Sequence, residues 1–453
     1  MSHVPMTLPD LALSIQTRPF SHTTTFLPLD DGRILHVSKH AREYSADGGL
    51  TWSDVELMTD TNGDPVGNSE TSLVKLSGRD EVGLAARMFD KPADTPHAAV
   101  PNGMAFWFWR SDDAGLTWQP PVRMTAPGMS TAGMQDTFLR TSSGRIVLPV
   151  FHMFGQDSGP DNGTLPMSGR LVHNQWVSTG GHFFDPMFTC NYVVFSDDDG
   201  RSWQMNKDGE LIPLLDWNAL FSYCNESSVT EVAPGRLLLI MRTGMGRLYQ
   251  AWSNDNGDTW TRPQPTVLAA TNAPAQIRTL ANGHLLCVWN QETADEIRGG
   301  YNRTRVSSAI SRDGGRVWEF FQNLQSVHET TRVEPGPIEP VRPEEISFPS
   351  GQPATERDPK YVQPHVGFYG SWCYPSVCVM KDRVLIAHTY NLYKEDETEA
   401  VLVRDVSGGG YLAAKTGKPV CQKLMVLPYK WFYGGKEPAD NPFLREAYEP
   451  AKP

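Results

Sequence analysis

The sequence predicts an all-β fold, a six-bladed β-propeller of four-stranded antiparallel blades. Three observations lead there. The tract S-x-D-x-G-x-(S/T)-W recurs at intervals of roughly 57 to 85 residues, which signals a repeat architecture. A strand–turn–strand unit recurs six times beside it. Glycine and proline number 39 and 35 in 453 residues, which suits many short strands joined by turns better than long helices.

The tract reads SADGGLTW from Ser45, SDDAGLTW from Ser111, SDDDGRSW from Ser196 and SNDNGDTW from Ser253. A fifth copy, SRDGGRVW from Ser311, carries Val317 where the hydroxyl belongs. Its chemistry is that of a hairpin turn. The Asp accepts backbone N–H groups, the Gly supplies positive φ, and the Trp packs back on the sheet. The paired unit reads TTTFLPLDDGRILHVSK, ETSLVKLSGRDEVGLAAR, QDTFLRTSSGRIVLPVF, ESSVTEVAPGRLLLIMR, PAQIRTLANGHLLCVWN and YPSVCVMKDRVLIAHT. Each copy is a hairpin of aliphatic and β-branched residues around a polar turn. Two strands from the hairpin and two flanking the tract make a four-stranded blade.

The sixth unit lacks the tract. Its outer strands are expected in EAVLVRDV and QKLMVLPYKWF, with a segment near Leu11–Gln16 closing the ring. Residues 1–453 are expected to form a single propeller domain with inserts near 155–189 and 322–369. Connections this long are usually functional or disordered, and both inserts are placed around the channel mouth.

A net charge of −12 argues against a nucleic-acid partner. No run of 18 apolar residues is present, so no membrane-spanning helix is expected. The N-terminal MSHVPMTLPDLALSIQ lacks the charge and apolar run of a signal peptide, and the default compartment is the cytoplasm. The six cysteines are scattered without a C-x-x-C pair and read as buried free thiols, with no metal or other cofactor expected. His152, His173 and His182 show no ligand spacing.

Aligning the six units exposes two columns. The residues opening the first strands are Thr23, Glu70, Gln135, Glu226, Pro274 and Tyr374. First strands line the axis of a propeller, so this column should face a common funnel. The residues ending the second strands are Lys39, Arg87, Phe151, Arg242, Asn290 and Thr389. Arg87 and Arg242 follow apolar runs and must meet an acid or an anionic ligand. Pairing with Glu70 and Glu226 is one reading. A clamp for a carboxylate or sulfate is the other, which suits the guanidinium fork.

On the five tracts and these columns, the chain resembles the sialidase (neuraminidase) superfamily over about residues 20–430. The resemblance implies that Glu226 and Arg242 of NESSVTEVAPGRLLLIMR, Tyr374 of CYPSV, and Arg303 of YNRTRVSSAIS (Arg305 as alternate) belong to an active site. It implies a Tyr nucleophile deprotonated by a Glu, because the sialic acid carboxylate would repel an anionic nucleophile. The first blade departs from the pattern. Ser21, His22 and Thr23 stand where the family carries R-I-P, with Arg18 upstream, and between Gly32 and Tyr44 only Glu43 is acidic. Arg87 is the candidate replacement arginine, and Glu70 or Asp136 the candidate acid.

The leading expectation is therefore a sialidase-type glycoside hydrolase releasing a terminal acidic sugar from a glycan. Tyr374, Glu226, Glu70 and Asp136 form its catalytic set. Arg87, Arg242, Arg303, Arg305, Lys39, Gln135 and His22 form its substrate-binding set. The alternatives are a uronate polysaccharide lyase, with Tyr374 as base, and a non-catalytic glycan-binding propeller.

Overall fold

The structure is a computed structural model that describes residues 11–20, 23–89, 104–126, 131–156, 169–172, 175–178, 185–214, 224–243, 245–271, 273–292, 303, 305–326, 368–394, 400–404, 410–414 and 421–435. Six antiparallel sheets follow one another around a ring. Blade one is Thr24–Pro28, Ile34–Ser38, Ala41–Ser45 and Glu56–Leu57. Blade two is Ser69–Lys75, Val82–Phe89, Met104–Ser111 and Val122–Arg123. In blade three the inner strand is split into Thr131–Gly133 and Leu139–Arg140, both paired with Ile146–Gln156, followed by Asp185–Ser196 and Gln204–Met205. Blade four is Cys224–Ala233, Arg236–Thr243, Arg247–Ser253 and Gln264–Ala269. Blade five is Gln276–Thr279, Leu285–Trp289, Arg305–Ser311 and Glu319–Ser326. Blade six is Ser376–Val379, Arg383–Lys394 and Cys421–Pro428, completed on its outer edge by Ser14–Arg18 from the start of the chain.

The ring closure follows the sequence expectation, with Ser14 opposite Val426 and Arg18 opposite Gln422. EAVLVRDV does not join blade six. Ala400–Arg404 pairs with Gly410–Ala414 in a hairpin of its own. A short apolar run specifies a strand but not the sheet that receives it. The stretch expected as a second insert begins inside blade five, whose outer strand runs to Ser326, and ends in Phe368–Ser371, which pairs with the long second strand of blade six.

The second strands are nearly unbroken apolar runs, such as LLLIM and VLIA, because each blade is buried on both faces. In blade five, Leu285 and Cys287 pack toward blade four, and Leu286 and Val288 pack toward blade six. Six such apolar clusters fill the spaces between neighbouring blades all round the ring.

The recurring tract does what its chemistry predicts. In the first copy Asp47 Oδ1 accepts the N–H of Leu50 at 3.0 Å and of Thr51 at 2.9 Å, and the Thr51 hydroxyl donates to Asp47 Oδ2. Burial works against the charge, but these donors hold the Asp47 carboxyl down at about 2. Gly49, at φ 92°, donates to Ser45 Oγ at 2.8 Å. The pattern repeats at Asp113, Asp198 and Asp255. At Asp313 the backbone bonds remain, and Val317 supplies no hydroxyl.

Closure between blades one and six rests on a buried polar cluster. Arg18 and His36 both donate to Glu43 Oε1, and Arg18 lies over the rings of Phe20 and Trp52. Glu43 is thus buried between blades and lies outside the funnel.

Two outcomes follow. Val317→Thr restores the missing hydroxyl at a 55% exposed position, and should raise stability by about 0.5–1.5 kcal/mol in urea denaturation. An unchanged midpoint would show that the hydroxyl of this tract is dispensable. Arg18→Met leaves Glu43 buried without its guanidinium and should cost about 3–5 kcal/mol by the same measurement. A loss below about 1 kcal/mol would remove Arg18 from the closure.

Candidate active site

The first strands of blades two and four begin with a defect. The ladder of blade two jumps from Ser69 to Ser72, and that of blade four jumps from Asn225 to Ser228. Glu70 and Glu226 sit in these bulges with φ of 54° and 39°. Asp136, in the break of blade three's inner strand, has φ 57°, and Tyr374, ahead of blade six's inner strand, has φ 55°. Bulges of this kind re-aim a side chain away from the pleat.

Glu226 and Tyr374 meet at the centre. The Tyr374 hydroxyl donates to Glu226 Oε1 at 2.8 Å. Arg242, from the second strand of the Glu226 blade, donates to the other carboxylate oxygen, Oε2. The Arg303 guanidinium stands 5.4 Å from the centroid of the Tyr374 ring, and its Nη1 is 3.4 Å from Cys373 Sγ. Burial pushes the Glu226 carboxyl up, but Arg242, Tyr374 and Arg303 outweigh it and hold Glu226 below the usual carboxylate range. Burial and the Glu226 charge push the Tyr374 phenol up. The resting pair is therefore a neutral phenol donating to a carboxylate.

Glu70 and Arg87 form a second pair in blade two. Arg87 Nη2 lies 2.8 Å from Glu70 Oε1, while Glu70 Oε2 accepts the N–H of Gly133 at 2.9 Å. Burial raises the Glu70 carboxyl to about 7, against the opposing pull of Arg87 and Gly133, and the charge of Glu226 adds to the rise. One carboxylate is poised ionised and the other poised to hold a proton, which is how environment separates acid from base.

The remaining expected residues divide. Asp136 is bound into the ring instead of facing the funnel. Its carboxylate accepts from the Thr25 hydroxyl at 2.8 Å, the Val377 N–H at 2.8 Å and Arg278 Nη2 at 3.0 Å, so its acceptor sites serve the scaffold. Gln135 is 0% exposed and donates to the main-chain carbonyl of Tyr374 at 2.9 Å, which removes it from the substrate-binding set. Arg305 is buried and donates to the Gln291 carbonyl at 3.2 Å, so Arg303 is the arginine at Tyr374. Lys39 stands in the two-residue turn between the second and third strands of blade one. His22 lies outside the described residues. The sequence reading missed Arg278, whose only signal was a cation within the strand PAQIRTL, and the Gly133 N–H.

Comparison with known proteins agrees with this architecture. The NanB sialidase of Streptococcus pneumoniae, in complex with 2-[(3-chlorobenzyl)ammonio]ethanesulfonate, is 11% identical, with 95% of this chain and 71% of that one covered at a TM-score of 0.52. A protein of unknown function from Dyadobacter fermentans is 15% identical, with 92% of this chain and 98% of that one covered at a TM-score of 0.51. These likenesses are of fold. Residues 96–386 match the family model described as a BNR repeat-like domain. With its recurring Asp tracts set on six blades, the chain belongs to the BNR repeat-like domain family and has the propeller fold of the sialidases.

Proposed function

We propose that the chain is a sialidase-type glycoside hydrolase releasing a terminal acidic sugar, sialic acid or a close relative. The observation that carries this reading is the 2.8 Å hydrogen bond from the Tyr374 hydroxyl to Glu226. A neutral phenol can approach an anomeric centre that bears a carboxylate, where an anionic nucleophile would be repelled. Glu226, kept ionised by Arg242, takes the proton as the Tyr374 oxygen bonds to that carbon. The wide gap between a raised phenol and a depressed carboxyl means that proton transfer accompanies bond formation instead of preceding it.

Arg242 and Arg303 flank the pair and supply positive charge for the sugar's anionic group. Glu70 is the proposed acid, giving its proton to the leaving oxygen and later activating water. Arg87 orients it.

Tyr374→Phe should lower kcat on 4-methylumbelliferyl sialic acid by about 10³-fold or more while the protein remains folded. No turnover by the parent on this or other acidic glycosides would sink the hydrolase reading. Ultraviolet absorbance of an unsaturated product from uronate polymers would point to elimination.

Glu70 acts protonated, so kcat/KM should hold below neutrality and fall as pH rises through about 7. Glu226 acts ionised, so the acid limb should lie below the ordinary carboxylate range. In Glu70→Gln the alkaline limb should disappear and kcat should fall about 10²–10⁴-fold, least for aryl leaving groups that need no proton. Persistence of the limb near pH 7 in this variant would assign the acid elsewhere.

A further inference from the structure

Side chains bridge the blades across the centre of the ring. In ring order blade three stands opposite blade six, so contacts between them cross the axis. Two of them come from described residues of blade three. Gln135 Nε2 donates to the Tyr374 carbonyl at 2.9 Å, and Asp136 Oδ2 accepts the Val377 N–H at 2.8 Å. Arg278 of blade five joins both arms. Its Nη2 donates to Asp136 Oδ2 at 3.0 Å and to the Asp136 carbonyl. Its Nη1 donates to Gln276 Oε1 at 2.7 Å, and Gln276 Nε2 donates in turn to the Gln135 carbonyl at 2.8 Å. Its Nε donates to the Val377 carbonyl at 3.2 Å.

One guanidinium therefore gathers blades three, five and six at the point where the Tyr374 strand begins. Arginine suits the position because its planar fork aims several donors in fixed directions, where an ammonium is a single point. Tyr374 itself sits at φ 55°, a conformation that a residue with a Cβ keeps only where its surroundings over-determine it. Relaxation of that backbone would swing the phenol off Glu226.

We propose that Arg278 is a positioning residue for the nucleophile. Through Gln276 and Gln135 on one arm and Asp136 and Val377 on the other, it fixes the backbone of Tyr374 and so holds the phenol against Glu226. This rests on the reading of Tyr374 as nucleophile. All three guanidinium nitrogens of Arg278 bond to the protein scaffold.

The test places 3-fluorotyrosine at position 374 of the full chain and records its fluorine resonance, which reports ring order whether or not the protein turns over. Arg278→Met removes the hub, and Arg278→Lys keeps only its charge. Gln135→Met cuts a single arm, the bond to the Tyr374 carbonyl, since Gln135 Oε1 is buried without a partner. Cys287→Ala, between blades four and five, serves as the control for general loosening. The expected result is one narrow line in the parent and the control, a split or broadened line in Arg278→Met and Gln135→Met, and partial recovery in Arg278→Lys. On a turned-over acidic glycoside, kcat should fall about 10–100-fold with KM nearly unchanged, as misplacement of a reacting group predicts. An unchanged line in folded Gln135→Met, or the same broadening in the control, overturns the proposal. If Arg278→Met does not fold, Gln135→Met decides. If the parent turns over no acidic glycoside, the hydrolase reading fails, and the fluorine line still decides the positioning.

Discussion

Six inner strands must converge on one axis, and the space there dictates the rest of the molecule. A regular strand would send alternate side chains into the two neighbouring blades and none to the centre. The chain solves this by breaking regularity at or near the start of three inner strands and midway along a fourth. Glu70, Asp136, Glu226 and Tyr374 all adopt positive φ, a conformation that costs a residue with a Cβ roughly 1–3 kcal/mol. The apolar clusters between blades supply the stability that tolerates such strain. Glu70, Glu226 and Tyr374 are thereby brought to the candidate site, and Asp136 is turned into contacts across the ring, so the arrangement is a product of ring geometry before it is a product of chemistry.

Within that space the two glutamates are driven apart by their partners. Both are pushed upward by burial. Glu226 has Arg242 at one oxygen and the Tyr374 hydroxyl at the other, with Arg303 beyond, and its charge wins. Glu70 has Arg87 and one backbone donor, lies within the repulsion of Glu226, and its proton wins. Arginine proximity alone does not decide protonation. The number and directness of the donors do.

Much of this was legible in the sequence. The Asp tracts and hairpin units encode local turns, which repeat faithfully, so the blade count could be read directly. Glu226 and Tyr374 share the column that opens the first strands and Arg242 stands in the column that ends the second strands, the resemblance to the sialidases singled the three out, and Glu226 and Arg242 face each other across one hairpin. What spacing could not give were contacts across the ring. Gln135 by its column, and Asp136 beside it, looked like funnel residues, yet both reach to the opposite blade, and Arg278 showed only a cation within PAQIRTL. The neutral poise of Glu70 was equally hidden, because adjacent arginines argue for the opposite shift until burial is seen. The placing of Ala400–Arg404 failed for a related reason, since strand propensity is local and sheet membership is not.

The outer strand of blade six has a consequence for how the molecule comes into being. Ser14–Arg18 pairs with Cys421–Pro428, almost the whole chain away, while blades two to five are each built from one continuous stretch. A nascent chain can assemble those blades in the order they emerge, but Ser14–Arg18 has no partner until Cys421–Pro428 has been synthesised. Throughout that interval Leu13 and the strand carrying Ile15 are unpaired, and the far edge of the growing ring stays open. Closure of blade six is thus a slow kind of contact to find, and until it forms the open edges are exposed to pairing with other chains.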